Sequence, residues 1–232
     1  MKIKKTVDLY SMENSDRFCF PHAASKYPSQ FRQKHFRDWL EKKALIRTFN
    51  FIPKGARVLD FPCGTGRLTN ILLEEGFSLT SADRSKEMLK RAEANYQFYK
   101  PSLDMEWPKV EFRHEDLFLG TKFNDNHFDV VVCHRLFHHL VETKTRIMAI
   151  RELKRISKQF IIFSFFNSNS IGACIKSMGN TIKGNKPTDR IPISKKTITR
   201  ELADQDLKVK KIVSRLWGLS PLCIIVAQVE DV

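Results

Sequence analysis

The stretch Val58-Leu59-Asp60-Phe61-Pro62-Cys63-Gly64-Thr65-Gly66-Arg67 limits what this chain can fold into more than any other. A short apolar run ends in a carboxylate and passes into a turn of small residues. Leu68, Ile71 and Leu72 follow at i, i+3 and i+4, the spacing of an amphipathic helix. Glycines let backbone N–H groups approach a ligand closely. In an open α/β sheet such a turn lies where ligands bind, at the carboxyl ends of the strands.

Three ligands compete for this turn. A phosphate-binding loop ends in Gly-Lys-Ser/Thr, whereas Gly66 is followed by Arg67 and Leu68. A dinucleotide site needs a third glycine where Thr69 stands. S-adenosylmethionine carries an amine and a carboxylate in place of a pyrophosphate. Asp60 can accept from that amine or from a bridging water, and the glycine backbone can face the methionine portion.

The segments that follow favour the third ligand. Ser78–Asp83 reads as a second strand ending in an acid about 20 residues past the turn, the place of a ribose-binding carboxylate. Ser85 is placed to cap a helix over 86–99. Val110–Leu117 reads as a third strand carrying Asp116 at its end, where a carboxylate can accept the adenine amino group. Phe128–Cys133 is apolar enough for a buried parallel strand. A helix over 142–157, a strand over 159–165, a helix capped by Ser194, and strands over 207–214 and 223–229 complete the alternation. Ahead of the turn, Phe31–Phe49 has a helical pattern.

The motifs VLDFPCGTGRLT (58–69), SADRSKEML (81–89), HEDL (114–117) and FDVVVCHRLFHHL (128–140) together resemble the class I S-adenosylmethionine-dependent methyltransferases. The resemblance runs from about Pro53 to Ser164. One departure is Pro62, where the family usually has glycine; proline fixes φ and removes a donor. The resemblance implies an α/β fold of three layers, doubly wound, on a seven-stranded, mostly parallel sheet with a C-terminal antiparallel hairpin. It implies a helical cover over residues 1–50 and a cofactor-binding domain over 51–232. A basic insertion or lid is expected at about 166–196, where glycines, prolines and lysines break the alternation. Cofactor contacts are expected from Asp60, Pro62, Cys63, Gly64, Thr65, Gly66, Asp83, Arg84, Met88, Asp116, Leu117 and Cys133.

The sulfonium methyl is already activated, so the protein's main work is positioning an acceptor and excluding water. A base is needed only for an acceptor that arrives protonated. His138 and His139, after the fourth strand, are the candidates, although adjacent histidines also serve structure. Tyr27, Trp39, Arg67, Arg135, Phe166 and Asn167 are candidate acceptor contacts. No histidine, cysteine and acid spacing suggests a metal.

The expected acceptor is a small molecule, with an anionic one suited to the formal charge of +14. RNA, protein or a lipid head group is the alternative; CHRLFHHL stands where RNA base methyltransferases often carry an NPPY-type motif. A non-catalytic cofactor-binding subunit is a third reading, against which the intact acids and glycines argue. Five scattered cysteines suggest reduced thiols rather than disulfides. With no apolar run of about 18 residues and no apolar signal core, no membrane span and a cytoplasmic location are expected.

Overall fold

The computed structural model describes residues 36–99, 108–175 and 191–230. Helix α1 (Phe36–Phe49) leads into β1 (Arg57–Asp60), α2 (Thr69–Glu74), β2 (Ser78–Asp83), α3 (Lys86–Tyr99), β3 (Val110–His114) and β4 (Phe128–Cys133). A 3-10 turn (Phe137–His139) precedes α4 (Thr143–Ile156), β5 (Ser157–Phe166), α5 (Lys195–Ala203), β6 (Leu207–Ser214) and β7 (Leu222–Val229).

The seven strands lie in the order β3-β2-β1-β4-β5-β7-β6. The first five are parallel, and β7 runs antiparallel to both β5 and β6. The order reverses between β1 and β4, and crevices form at such switch points.

Side-chain alternation in the central strands builds the layers. Val131 and Cys133 of β4 pack on one face with Ile150 and Leu153 of α4 and Ile198 and Leu202 of α5. Val130 and Val132 pack on the other with Leu45 and Phe49 of α1 and Ile71 and Leu72 of α2. Strands buried on both faces are continuous apolar runs, as FDVVVC and LCIIVAQV are. The expected α/β, doubly wound fold with its antiparallel C-terminal hairpin is therefore what the chain adopts.

The element limits differ from expectation in instructive places. The strand expected over 110–117 stops at His114, because the next two acids turn back onto their own loop. Glu115 Oε2 accepts the Lys122 N–H, and Asp116 Oδ1 accepts the Phe118 N–H. Such local bonds compete with a sheet ladder. Residues 31–35 of the expected first helix lie outside the described residues. The described helix is no loose cover, since Ala44, Leu45 and Phe49 belong to the core.

Residues 176–190 of the expected insertion are also outside the described residues. Its two described ends are tied to the sheet and to the turn after β4. The Ile193 N–H donates to Phe166 O, and the Ile191 N–H donates to His138 O. Ser194 caps α5 by accepting the Thr197 N–H. Among the described residues no helix is long and apolar enough to cross a membrane.

Candidate active site

Parallel strands β1, β2 and β4 end side by side, so the loops after them share one crevice. That crevice is a cavity of about 370 Å³, within the ordinary range for small-molecule sites. The loop after β1 supplies Asp60, Pro62, Cys63, Gly64, Thr65 and Arg67, and β2 with the start of α3 supplies Asp83, Arg84 and Met88. Leu117 closes one side, and Arg135, His138 and His139 close the other. These thirteen expected residues come together.

The glycine turn has the backbone its sequence suggests. Gly64 and Gly66 have φ of 56° and 77°, a region L side chains occupy at a cost of about 1–2 kcal/mol. They differ in surroundings. A Cβ on Gly64 would meet nothing within 4 Å, whereas one on Gly66 would lie 3.1 Å from Thr69 Oγ1 and 3.2 Å from Ala92 of α3. Gly66 thus provides the close helix approach that a dinucleotide fold assigns to its third glycine. Gly66→Ala is expected to lower the melting temperature more than Gly64→Ala, and equal effects in thermal unfolding would discount the packing against Ala92. The Phe61–Pro62 peptide is cis.

Asp60 is the most telling side chain. It is 1% exposed, and neither carboxylate oxygen has a hydrogen-bond partner. Burial, and then the charge of Asp83, push its pKa well above the ordinary carboxylate range. Asp83 is buried as well, and burial raises it too. It is satisfied, however, by the Gly64 N–H at 2.8 Å and the Ser85 N–H at 2.9 Å. A carboxylate has about four acceptor positions, so Asp83 retains capacity for hydroxyls.

These features fit the cofactor that the resemblance implies. The orphaned Asp60 carboxylate would take the methionine ammonium, Asp83 the ribose hydroxyls, and Met88, Leu117 and Phe118 the apolar face of the base.

The raised pKa of Asp60 has a definite sign. An acid whose pKa is higher in the folded chain favours unfolding once pH passes its unfolded value, and the penalty is complete above the folded value. Asp60→Asn is therefore expected to stabilise the ligand-free protein at neutral pH, on the order of 1 kcal/mol, while weakening cofactor binding. In a melting series run upward from the ordinary carboxylate range, the gap between the two proteins should widen. A gap that stays constant would show that burial of the charge is not the cause.

Cys63 is no nucleophile. Burial, and then the charges of Asp83 and Asp60, push its thiol pKa well up, and a thiol that stays protonated is unreactive.

Several expected contacts lie away from the cavity wall. Cys133 is 0% exposed and packs in the core. Asp116 is engaged by the Phe118 amide and lies 3.5 Å from Arg84; it shapes the loop that carries Leu117. Trp39 is 45% exposed, stacked on Phe36 with Lys43 Nζ over its ring. Phe166 stacks on His138 with ring centres 4.4 Å apart. Asn167 is buried, its Oδ1 accepting the Asn169 N–H. Tyr27 falls outside the described residues.

Two residues went unread in the sequence. His134 lines the cavity, and Glu41 of α1 stands behind it, fully buried. Glu41 Oε1 accepts from His134 Nε2 at 2.9 Å and from Arg135 Nε at 2.9 Å, and Oε2 accepts from Arg135 Nη2 at 2.7 Å. Burial alone would raise this carboxyl, but the bonds from His134 and Arg135 override it and hold Glu41 far below the usual range. Spacing offered a signal, because Glu41 shares a helical face with Ala44, Leu45 and Thr48, all buried.

Residues 58–159 match the family described as a methyltransferase domain. The chain is 25% identical over 173 residues to a ubiquinone biosynthesis O-methyltransferase of Erwinia tasmaniensis, spanning 73% of this chain and 68% of that one. It is 41% identical over 91 residues to glycine N-methyltransferase of Rattus norvegicus, spanning 38% of this chain and 30% of that enzyme. In fold it resembles magnesium protoporphyrin IX methyltransferase of Synechocystis with bound SAH, at a TM-score of 0.68 and 17% identity over 96% of this chain and 97% of that one. Residues 58–159 therefore carry a methyltransferase domain, and the glycine turn and sheet order are those that the resemblance to class I S-adenosylmethionine-dependent methyltransferases implies.

Proposed function

We propose that this methyltransferase acts on a small-molecule acceptor bearing an anionic group, held at the end of the cavity walled by Arg135, Leu136, His138 and His139. The observation that carries the reading is the division of one modest cavity. Asp60, the glycine turn and Asp83 form one half, and the loop after β4 forms the other. A cavity of about 370 Å³ suits a metabolite better than a folded macromolecule. The relatives named above support the same class, since their names refer to ubiquinone biosynthesis, glycine and a magnesium porphyrin.

S-adenosylmethionine, when bound, supplies an electrophilic methyl group. The chain's own residues then orient the acceptor and keep water out. Arg67 and Arg135 line the cavity, and the positive charge they bring to that end suits a carboxylate or phosphate. His138 is 2% exposed and fixed against Phe166, so it shapes the wall. His139, partly exposed beside it, is the residue to take a proton from a hydroxyl or ammonium acceptor.

The test is methyl transfer from labelled S-adenosylmethionine to separate panels of small organic acids, neutral metabolites, RNA, protein and lipid. Labelling is expected among the small acids. Label appearing only in RNA, with binding that falls steeply with salt, would overturn the reading.

A further inference from the structure

Helix α1 precedes the matched domain, yet it places a carboxylate behind the crevice. Glu41 is 0% exposed and meets three arginines and a histidine from three later segments. Arg67 comes from the glycine turn after β1, with Nη2 at 3.7 Å. His134 and Arg135 come from the loop after β4, within 2.9 Å. Arg215 comes from the end of β6, with Nη1 at 3.6 Å. One turn earlier on the same helix, Asp38 Oδ1 lies 3.2 Å from Arg67 Nη2. The loops after β1 and β4 are the two that flank the switch point, and α1 is joined to both.

The chemistry of the contact fixes more than position. A carboxylate held ionised can only accept, so His134 Nε2 carries the proton. Burial, set against the hydrogen bond from Glu41, lowers the His134 pKa, and the ring is neutral. Its Nδ1 is then a bare acceptor, buried and without a hydrogen-bond partner. Arg135 is held twice. Its guanidinium forks onto Glu41, and its N–H donates to Ser164 Oγ at 2.7 Å. Its φ of 63° is left-handed for a non-glycine residue, a conformation kept only where surrounding contacts hold it.

We infer that Glu41 is a positioning residue of the methyltransferase site: it clamps the two loops flanking the crevice and sets the tautomer of His134. The inference rests on the methyl-transfer reading for its binding arm only. A merely structural ion pair is available for comparison. Arg146 and Glu201 are buried and bidentate on the far side of the sheet from α1, and neither lines the cavity.

The experiment compares Glu41→Gln with Glu201→Gln. Thermal unfolding is expected to fall for both. Calorimetry with S-adenosylhomocysteine, run well below either melting point, is expected to show about tenfold weaker binding for Glu41→Gln and a change within twofold for Glu201→Gln. Nitrogen NMR of the imidazole should report Nε2-protonated His134 in the wild type and a mixture of tautomers in Glu41→Gln. Unchanged imidazole shifts with affinity within twofold in folded Glu41→Gln would overturn the inference and leave a structural ion pair.

Should Glu41→Gln fail to fold, Glu41→Asp keeps the charge but withdraws it by one methylene. It is expected to fold and to bind severalfold more weakly, and wild-type affinity with wild-type imidazole shifts would again overturn the inference. A wild type that does not bind S-adenosylhomocysteine would sink the methyl-transfer reading instead, and the imidazole signal alone would then decide the role of Glu41.

Discussion

Asp83→Ala is expected to weaken S-adenosylmethionine binding by on the order of a hundredfold, equivalent to about 2.8 kcal/mol, in titration calorimetry. The Asp83 carboxylate sits at the tip of β2 and does two things. It accepts the Gly64 N–H at 2.8 Å, which ties the glycine turn to the second strand. It accepts the Ser85 N–H at 2.9 Å, which orders the start of α3. Hydrogen bonds to a charged group contribute roughly 1.5–3 kcal/mol each. Alanine removes both, along with the acceptor positions left for the ribose hydroxyls. The turn is also held by the Cys63 N–H on Ala82 O, so the fold should survive and the loss should register mainly in binding. Asp83→Asn keeps one acceptor oxygen and should lose about tenfold. Affinity within threefold of wild type for Asp83→Ala would remove this carboxylate from the site.

The sheet was legible because its strands are buried on both faces or bounded by strong punctuation. FDVVVC and SLTSAD were placed to the residue, since an apolar run cannot extend past charged or turn-forming neighbours. The third strand was overrun because Glu115 and Asp116 look like a strand end in one dimension, while their side chains bind the loop that follows. The cofactor half of the site was readable for a related reason. Glycines at positive φ and acids at strand tips are local features, and nine expected cofactor contacts line the crevice.

The acceptor half was readable only in part: Arg67, Arg135, His138 and His139 were expected and line the crevice, but the pairing that holds them is long-range. Glu41 and His134 are 93 positions apart in sequence, and in FRDWLEKK a glutamate looks like one more exposed charge. Only its place on the face of Ala44, Leu45 and Thr48 betrays it. Trp39 failed in the opposite sense: a large aromatic near the cover helix looked like a wall and instead faces solvent.

Glu201→Ala is expected to destabilise the fold by about 3–5 kcal/mol, lowering the melting temperature by roughly 6–20 °C, with little effect on cofactor affinity. Glu201 on α5 and Arg146 on α4 are 4% and 5% exposed. Arg146 Nε lies 2.9 Å from Oε2, and Nη2 lies 2.5 Å from Oε1. Removing one partner leaves the other charged, buried and unpaired, which is why such losses are large although the intact pair adds little net stability. Arg146 does more than pair, since Nη1 donates to Leu140 O at 3.1 Å and Val141 O at 2.7 Å, and Nη2 donates to Thr143 Oγ1 at 2.8 Å. Those carbonyls end the turn that carries His138 and His139. The double variant Arg146→Met with Glu201→Leu should therefore recover most of the loss but not all, because it removes both buried charges yet strands the two carbonyls. A double variant as stable as wild type would show that capping the turn is immaterial. One no more stable than Glu201→Ala would show that the unpaired arginine was not the source of the cost.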